Sequence, residues 1–135
     1  MSEPIIITGG HHSDLRGALR FCNGFDMAAV RRFCTISNNS EQPVRGWIGH
    51  KLESKWFFPL SGKTEIVVET MDTASSVCST RQTYTLDASN PVVLHMPPGN
   101  WFCIKQDGNA EVMVFSDCTI GQYDNDDYRR PYGET

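Results

Sequence analysis

The chain has 135 residues, a net charge of −4, and 39% hydrophobic and 10% aromatic residues. That length suits one domain, residues 1–135, with a core of its own and no need of a disulfide or metal staple. The acidic balance argues against general binding to nucleic acid or to an anionic membrane, both of which need a basic surface.

In chain order, strand signals fall at 5–8, 17–22, 30–36, 44–49, 55–60, 64–69, 81–86, 92–96, 102–106 and 111–116. Each is a short run rich in β-branched or aromatic residues, bounded by Gly, Pro, Asn, Asp or Ser. Asp107-Gly108 suits a tight turn, so 102–106 and 111–116 should pair antiparallel. Residues 26–32 read equally as one or two helical turns capped by Asp26 or as the lead-in to a strand. Residues 71–82, with five Ser or Thr among them, read as a surface loop or a long hairpin tip. The polar tail from Gly121 carries Asp124, Asp126 and Asp127, which read as a solvated charged face.

Short strands without a long helix imply an all-β domain, a sandwich or a closed barrel, and a jelly roll suits the count. Alternate residues of each strand then line the lumen. Along 44–49, Ile48 and His50 share one face and Trp47 and Gly49 the other, and the former pair is expected to face inward.

The five cysteines, Cys22, Cys34, Cys78, Cys103 and Cys118, are odd in number, widely spaced and without a Cys-x-x-Cys pair. That pattern fits a reducing cytoplasm better than a disulfide framework or a zinc site. The amino terminus lacks a basic leader. No segment reaches the roughly 18 to 20 apolar residues of a membrane-spanning helix. A cytoplasmic protein without membrane or nucleic-acid partners is expected.

Residues 45–58 carry the strongest chemical signal. They set His50 among Arg45, Lys51 and Lys55 and between Trp47 and Trp56. An imidazole in such a place can take a proton from a bound anionic, sugar-like substrate, and cations close to it would keep the ring a free base. A metal site is not expected, because His50 and Glu53 give two donors where Zn or Fe needs at least three. His11 and His12 cannot substitute, since neighbours in an extended chain point to opposite faces.

Several motifs in order resemble one family. They are Asp14-Leu15-Arg16-Gly17, Leu19-Arg20-Phe21, Arg32-Phe33-Cys34-Thr35-Ile36, Arg45-Gly46-x-x-Gly49-His50-Lys51, Pro97-Pro98-Gly99-Asn100-Trp101, Val114-Phe115-Ser116-Asp117 and Asp126-Asp127-Tyr128-Arg129. Together they are similar to the cupin-type nucleotide-sugar isomerases and epimerases: the dTDP-sugar 3,4-ketoisomerases and, more distantly, the dTDP-4-dehydrorhamnose 3,5-epimerases. The resemblance implies a cupin-like jelly roll, or double-stranded β-helix, likewise covering 1–135. It implies an isomerase that removes a proton beside the keto group of a dTDP-linked 4-keto-6-deoxyhexose, without metal or redox cofactor, in deoxysugar and polysaccharide biosynthesis. It implies His50 as the base, Arg16 on the nucleotide diphosphate, and a homodimer. Arg45, Lys51, Lys55, Trp101 and Tyr128 are the further candidates for gripping a nucleotide sugar. The ketoisomerases carry His-x-His where this chain has Ile48-Gly49-His50, and tyrosines near Cys34 and Thr35. A cupin that binds a sugar nucleotide without turning it over is therefore the alternative reading.

Overall fold

Alternation of buried and exposed side chains sorts the strands into two facing sheets. The computed structural model describes residues 3–38, 44–71 and 81–132. Twelve strands follow in chain order: β1 Ile5–Thr8, β2 Gly10–Asp14, β3 Gly17–Phe21, β4 Arg32–Ser37, β5 Val44–His50, β6 Lys55–Ser61, β7 Lys63–Thr70, β8 Arg81–Asp87, β9 Val92–Met96, β10 Asn100–Gln106, β11 Glu111–Ser116 and β12 Tyr128–Arg129. One sheet has the order β1-β9-β6-β11-β4 and the other β12-β5-β10-β7-β8, while β2 and β3 form a two-stranded sheet of their own. Every pairing is antiparallel. This is the all-β, cupin-like jelly roll that the strand pattern and the resemblance lead one to expect.

The expected strands recur nearly in place, but β10 and β11, on either side of the Asp107-Gly108 turn, lie in different sheets: β10 runs between β5 and β7, and β11 between β4 and β6. The expected direct 102–106 to 111–116 hairpin is therefore a correction. The turn joins the two sheets rather than two neighbours in one sheet. Two strands were not expected. β2, Gly-His-His-Ser-Asp, is almost wholly exposed and has no apolar alternation, and β12 is two residues long. Residues 26–30 form turns, with Asp26 accepting the Ala28 N–H, and the strand begins at Arg32. Of the expected 71–82 loop, 72–80 lie outside the described residues and Arg81 and Gln82 belong to β8.

The core between the sheets is built from both: Phe57, Leu94, Val112 and Val114 from the first and Ile66, Val68, Leu86, Phe102 and Ile104 from the second. These side chains exclude water over most of the lumen, and each is worth roughly 1.5–3 kcal/mol of burial. Toward one end the lumenal row turns polar. Ser116 lies opposite Arg32 and Lys55 in the first sheet, and Asn100 opposite His50 and Thr70 in the second. The strand register therefore gathers a layer of polar side chains at one rim of an apolar barrel.

Gly46 shows why β5 can run where it does. Its φ is +146°, and a Cβ there would stand 2.2 Å from Cys103 Cβ on the adjacent strand. Any larger residue would push β5 off β10 and tilt the strand that carries His50.

The four described cysteines, Cys22, Cys34, Cys103 and Cys118, are free. Cys78 lies outside the described residues. Among the described residues no helix is long and apolar enough to cross a membrane.

Candidate active site

His50 is the last residue of β5, and parity places it as expected on the lumenal face. It lines a cavity of about 290 Å³ together with Arg32, Ile48, Glu53, Lys55 and Asp126. Its Nδ1 lies 2.8 Å from the main-chain oxygen of Asp126. A carbonyl oxygen only accepts, so Nδ1 carries the proton, and in the neutral ring the lone pair sits on Nε2. Nε2 is buried and has no hydrogen-bond partner. A buried polar atom left in that state costs about 1–3 kcal/mol and calls for a functional account.

The segment that fixes the ring comes from the far end of the sequence. Asp126 is only 4% exposed. Its carboxylate accepts the backbone N–H groups of Lys51 (2.7 Å), Leu52 (3.1 Å) and Glu53 (3.0 Å). One acidic side chain thus organises the turn after β5 while its own carbonyl orients the imidazole. Of the solvated acidic tail expected from the sequence, Asp124 and Asp127 are exposed as expected and Asp126 is the correction. Asp126 is buried because three main-chain donors offset its desolvation.

The electrostatic surroundings of His50 also differ from expectation. Its nearest charged neighbours are carboxylates, Glu53 Oε1 at 3.7 Å and Asp126 Oδ2 at 3.9 Å, rather than cations. The cations belong to Glu53. Arg32 and Lys55 each approach its Oε2 at 3.3 Å, and the Ser116 hydroxyl donates to the same oxygen. Burial alone would push the Glu53 carboxyl up, but the Ser116 hydrogen bond and the Lys55 charge hold it below the usual carboxylate range.

His50, Glu53 and Asp126 bring three donors within 4.8 Å of one another, one more than the sequence showed. The donors do not fit a divalent ion. The Asp126 carboxylate is spent on three N–H groups, and Glu53 already faces two cations that an ion would have to displace.

Of the other expected binding residues, the cavity wall includes Lys55 alone. Lys51 extends over the Tyr128 ring, 4.9 Å from its centroid, and Arg45 is exposed near the start of β5. Trp101 faces outward because its neighbour Phe102 faces the core; it packs with Trp47, Val67 and Cys103 on the outer wall. Arg16 sits at the tip of the β2–β3 hairpin, its side chain 88% exposed and paired with Asp14. Arg32 and Asp126 were not singled out for the site by sequence. Arg32 could have been found by parity, since it shares a face with Ile36 in β4; Asp126 carries no such signal.

A two-sheet, cupin-like jelly roll thus carries a His–carboxylate–cation layer at one rim. Residues 4–135 match the family described as WxcM-like, C-terminal (FdtA), and the chain belongs to that family. Among curated proteins, none matches at a significant level. Solved structures with the same fold include a 3,4-ketoisomerase, QdtA, from Thermoanaerobacterium thermosaccharolyticum, determined as a His-to-Asn mutant in complex with TDP-4-keto-6-deoxyglucose. It shares 19% identity at a TM-score of 0.73, over 96% of this chain and 89% of that one. The WlaRB TDP-quinovose 3,4-ketoisomerase from Campylobacter jejuni shares 20% identity at 0.71, over 98% and 95%. The rmlC epimerase from Mycobacterium tuberculosis shares 19% at 0.74, over 93% and 68%.

Proposed function

We propose that the protein is a nucleotide-sugar isomerase in which Nε2 of His50 removes a proton from the carbon beside the keto group of a dTDP-linked 4-keto-6-deoxyhexose. The observation that carries this reading is the unpartnered, buried Nε2 on the cavity wall, with Nδ1 committed to Asp126. Proton removal leaves an enolate, and Lys55 and Arg32 stand on the same wall to stabilise the oxygen that gains charge. Returning the proton to the former carbonyl carbon, while the hydroxyl proton passes from the 3-oxygen to the 4-oxygen, completes a 3,4-ketoisomerisation; returning it to the other face of the same carbon is an epimerisation. Neither outcome uses a metal or redox cofactor. The family's place is deoxysugar biosynthesis, and a cytoplasmic enzyme feeding surface polysaccharide is the role proposed here.

The solved relatives bind or act on TDP-linked sugars, which supports the choice of substrate class. A homodimer is part of the proposal. Leu15 and Leu19, either side of Arg16, are exposed toward the tip of a hairpin that joins neither barrel sheet and is tied to the barrel through Arg20, which donates to the Pro59, Leu60 and Ala88 carbonyls, and a two-stranded hairpin is marginal in water. Packed against a second copy, that hairpin would present Arg16 to the diphosphate of the neighbouring site, where its planar fork suits phosphate oxygens.

The test is solvent exchange. dTDP-4-keto-6-deoxyglucose incubated with the protein in deuterated water should take up deuterium beside the ketone and yield a 3-keto isomer by NMR. His50→Asn should slow both by about 10²–10⁴-fold. A second reading rests on Ile48, an apolar lumenal neighbour of His50 where the ketoisomerases have another imidazole. It makes the protein a sugar-nucleotide binder. dTDP would then raise the melting temperature by mass action, with no deuterium entering the sugar.

A further inference from the structure

The residues 126–130 touch both sides of β5. At the lumenal end, Asp126 supplies the carbonyl that holds Nδ1–H of His50 and the carboxylate that gathers the turn at 51–53. β12 then pairs Tyr128 with Gly49 and Arg129 with Ile48. Arg130 exchanges two backbone hydrogen bonds with Trp47, at 2.8 and 3.1 Å. There the segment passes onto the outer wall of the barrel. The Arg130 guanidinium lies over two indoles, 4.6 Å from the Trp47 ring centroid and 4.9 Å from that of Trp101. It also donates to Glu69 Oε1 at 2.9 Å. Arg81 covers Trp47 at 5.2 Å and pairs with the same glutamate.

Trp47 is 1% exposed, so this outer cluster is a small core of its own, and Arg130 is the tail's contribution to it. β12 is an edge strand with a single neighbour, β5. A two-residue edge strand is too short to hold itself in place by ladder bonds alone, so the side-chain anchors at its ends decide whether it stays docked. One anchor, Asp126, forms part of the proposed active site. The other does not touch the cavity.

We infer that Arg130 is a positioning residue: stacked on Trp47 and Trp101 on the outside of the barrel, it docks the carboxy-terminal segment whose Asp126 fixes the tautomer and orientation of His50 on the inside. This deepens the proposed isomerase reading and rests on it for its catalytic consequence. Its structural content is independent of any turnover. Loss of Arg130 frees the segment, Nδ1 loses its carbonyl, and the ring distributes between its two neutral tautomers.

The wild-type protein tests the coupling without ligand. Under native-state hydrogen exchange, the amides of Lys51, Leu52 and Glu53, which donate to Asp126, should open together with those of Trp47 and Arg130, more readily than amides of β10. Independent exchange of the two groups would overturn the inference. In the second arm, imidazole 15N shifts report the tautomer directly. The neutral His50 ring should show a protonated Nδ1 and a bare Nε2 in the wild type, and mixed signals in Arg130→Ala. Arg130→Lys, which keeps the charge toward Glu69 and loses the flat stack, should fall between. With substrate, Arg130→Ala should lose on the order of 10²-fold in kcat through misplacement of the base, with KM little changed. A single wild-type tautomer in Arg130→Ala would refute the assignment whether or not the protein turns over a sugar. If Arg130→Ala does not fold, Trp101→Leu removes one stacking face without touching the tail's backbone, and the same 15N readout decides. Should the tautomer respond as described while no deuterium enters any 4-keto sugar, the isomerase reading fails and the positioning role of Arg130 stands.

Discussion

The two ends of the lumen lie within one barrel and obey different physics. At one end Leu86, Ile66, Ile104 and Val112 are fully buried among hydrocarbon, and burial itself supplies their stability. At the other end β4, β6, β11 and β5 deliver Arg32, Lys55, Ser116 and His50, and the turn after β5 adds Glu53. Burying these groups opposes folding, and it is offset by specific partners: two cations and a hydroxyl for Glu53, three amides for Asp126, one carbonyl for His50. One polar atom in that layer, Nε2 of His50, has no partner. A barrel selected for stability alone would fill the rim with apolar side chains as it fills the middle of the lumen. On the proposed reading, the polar rim is where stability is traded for chemistry.

The sharpest break between the two ends comes from one substitution in each. His50→Asn should reduce deuterium incorporation by the amount given above while changing urea stability by no more than about 1 kcal/mol. Leu86→Ala should do the reverse, costing about 2–5 kcal/mol through the cavity it leaves, while the His50 15N signature and any dTDP-induced stabilisation persist. If Leu86→Ala altered the tautomer as strongly as it lowered stability, the two ends would not be separable.

Glu53 sharpens the comparison further. Glu53→Gln leaves Arg32 and Lys55 without their shared anion and should cost about 3 kcal/mol, the low end for breaking a buried pair. The sign with pH is fixed by its depressed carboxyl. Its stabilisation is complete above the ordinary value of 4.5 and is lost as the pH falls through the lower folded value. Urea titrations below pH 4.5 should therefore bring the wild type and Glu53→Gln together. Parallel curves would show that Glu53 acts by packing rather than by charge.

Much of this architecture was legible because strand periodicity is a local property. The Ile48/His50 face was separable from the Trp47/Gly49 face by counting twos, and the same parity would have sent Trp101 outward once Phe102 was placed inside. β2 was illegible, since Gly10–Asp14 is almost wholly exposed and shows no apolar alternation. The charge environment of His50 was misread for a related reason. Sequence proximity put Arg45, Lys51 and Lys55 beside it, whereas a register shift between Phe102 and Ile104 and the turn after His50 carry Arg45 and Lys51 away from the cavity. Asp126 is the hardest case. Nothing local distinguishes a carboxylate that will collect three amides from a turn 73 to 75 residues away from one that stays in water.

The smallest expected effect lies on the outer face of the first sheet, at His95. Its ring stacks on Trp56, with centroids 4.9 Å apart and planes 10° from parallel, and its Nε2 is buried without a partner. Burial pushes the imidazole below its ordinary value of 6.5, and the charge of Asp117 opposes that only in part. The native state therefore resists protonation here more than the unfolded chain does. Stability associated with His95 is complete above pH 6.5 and declines as the pH falls from 6.5 toward the folded value, by less than about 1.4 kcal/mol per unit, the ceiling for one proton. His95→Phe keeps a ring against Trp56 and removes the titration. Its melting temperature should fall less than that of the wild type between pH 6.5 and 5, in a window above the one in which Glu53 acts. Because His95 lies outside the lumen, the His50 tautomer should be the same in this variant; a change in both would mean that the outer aromatic face and the polar rim respond as one unit.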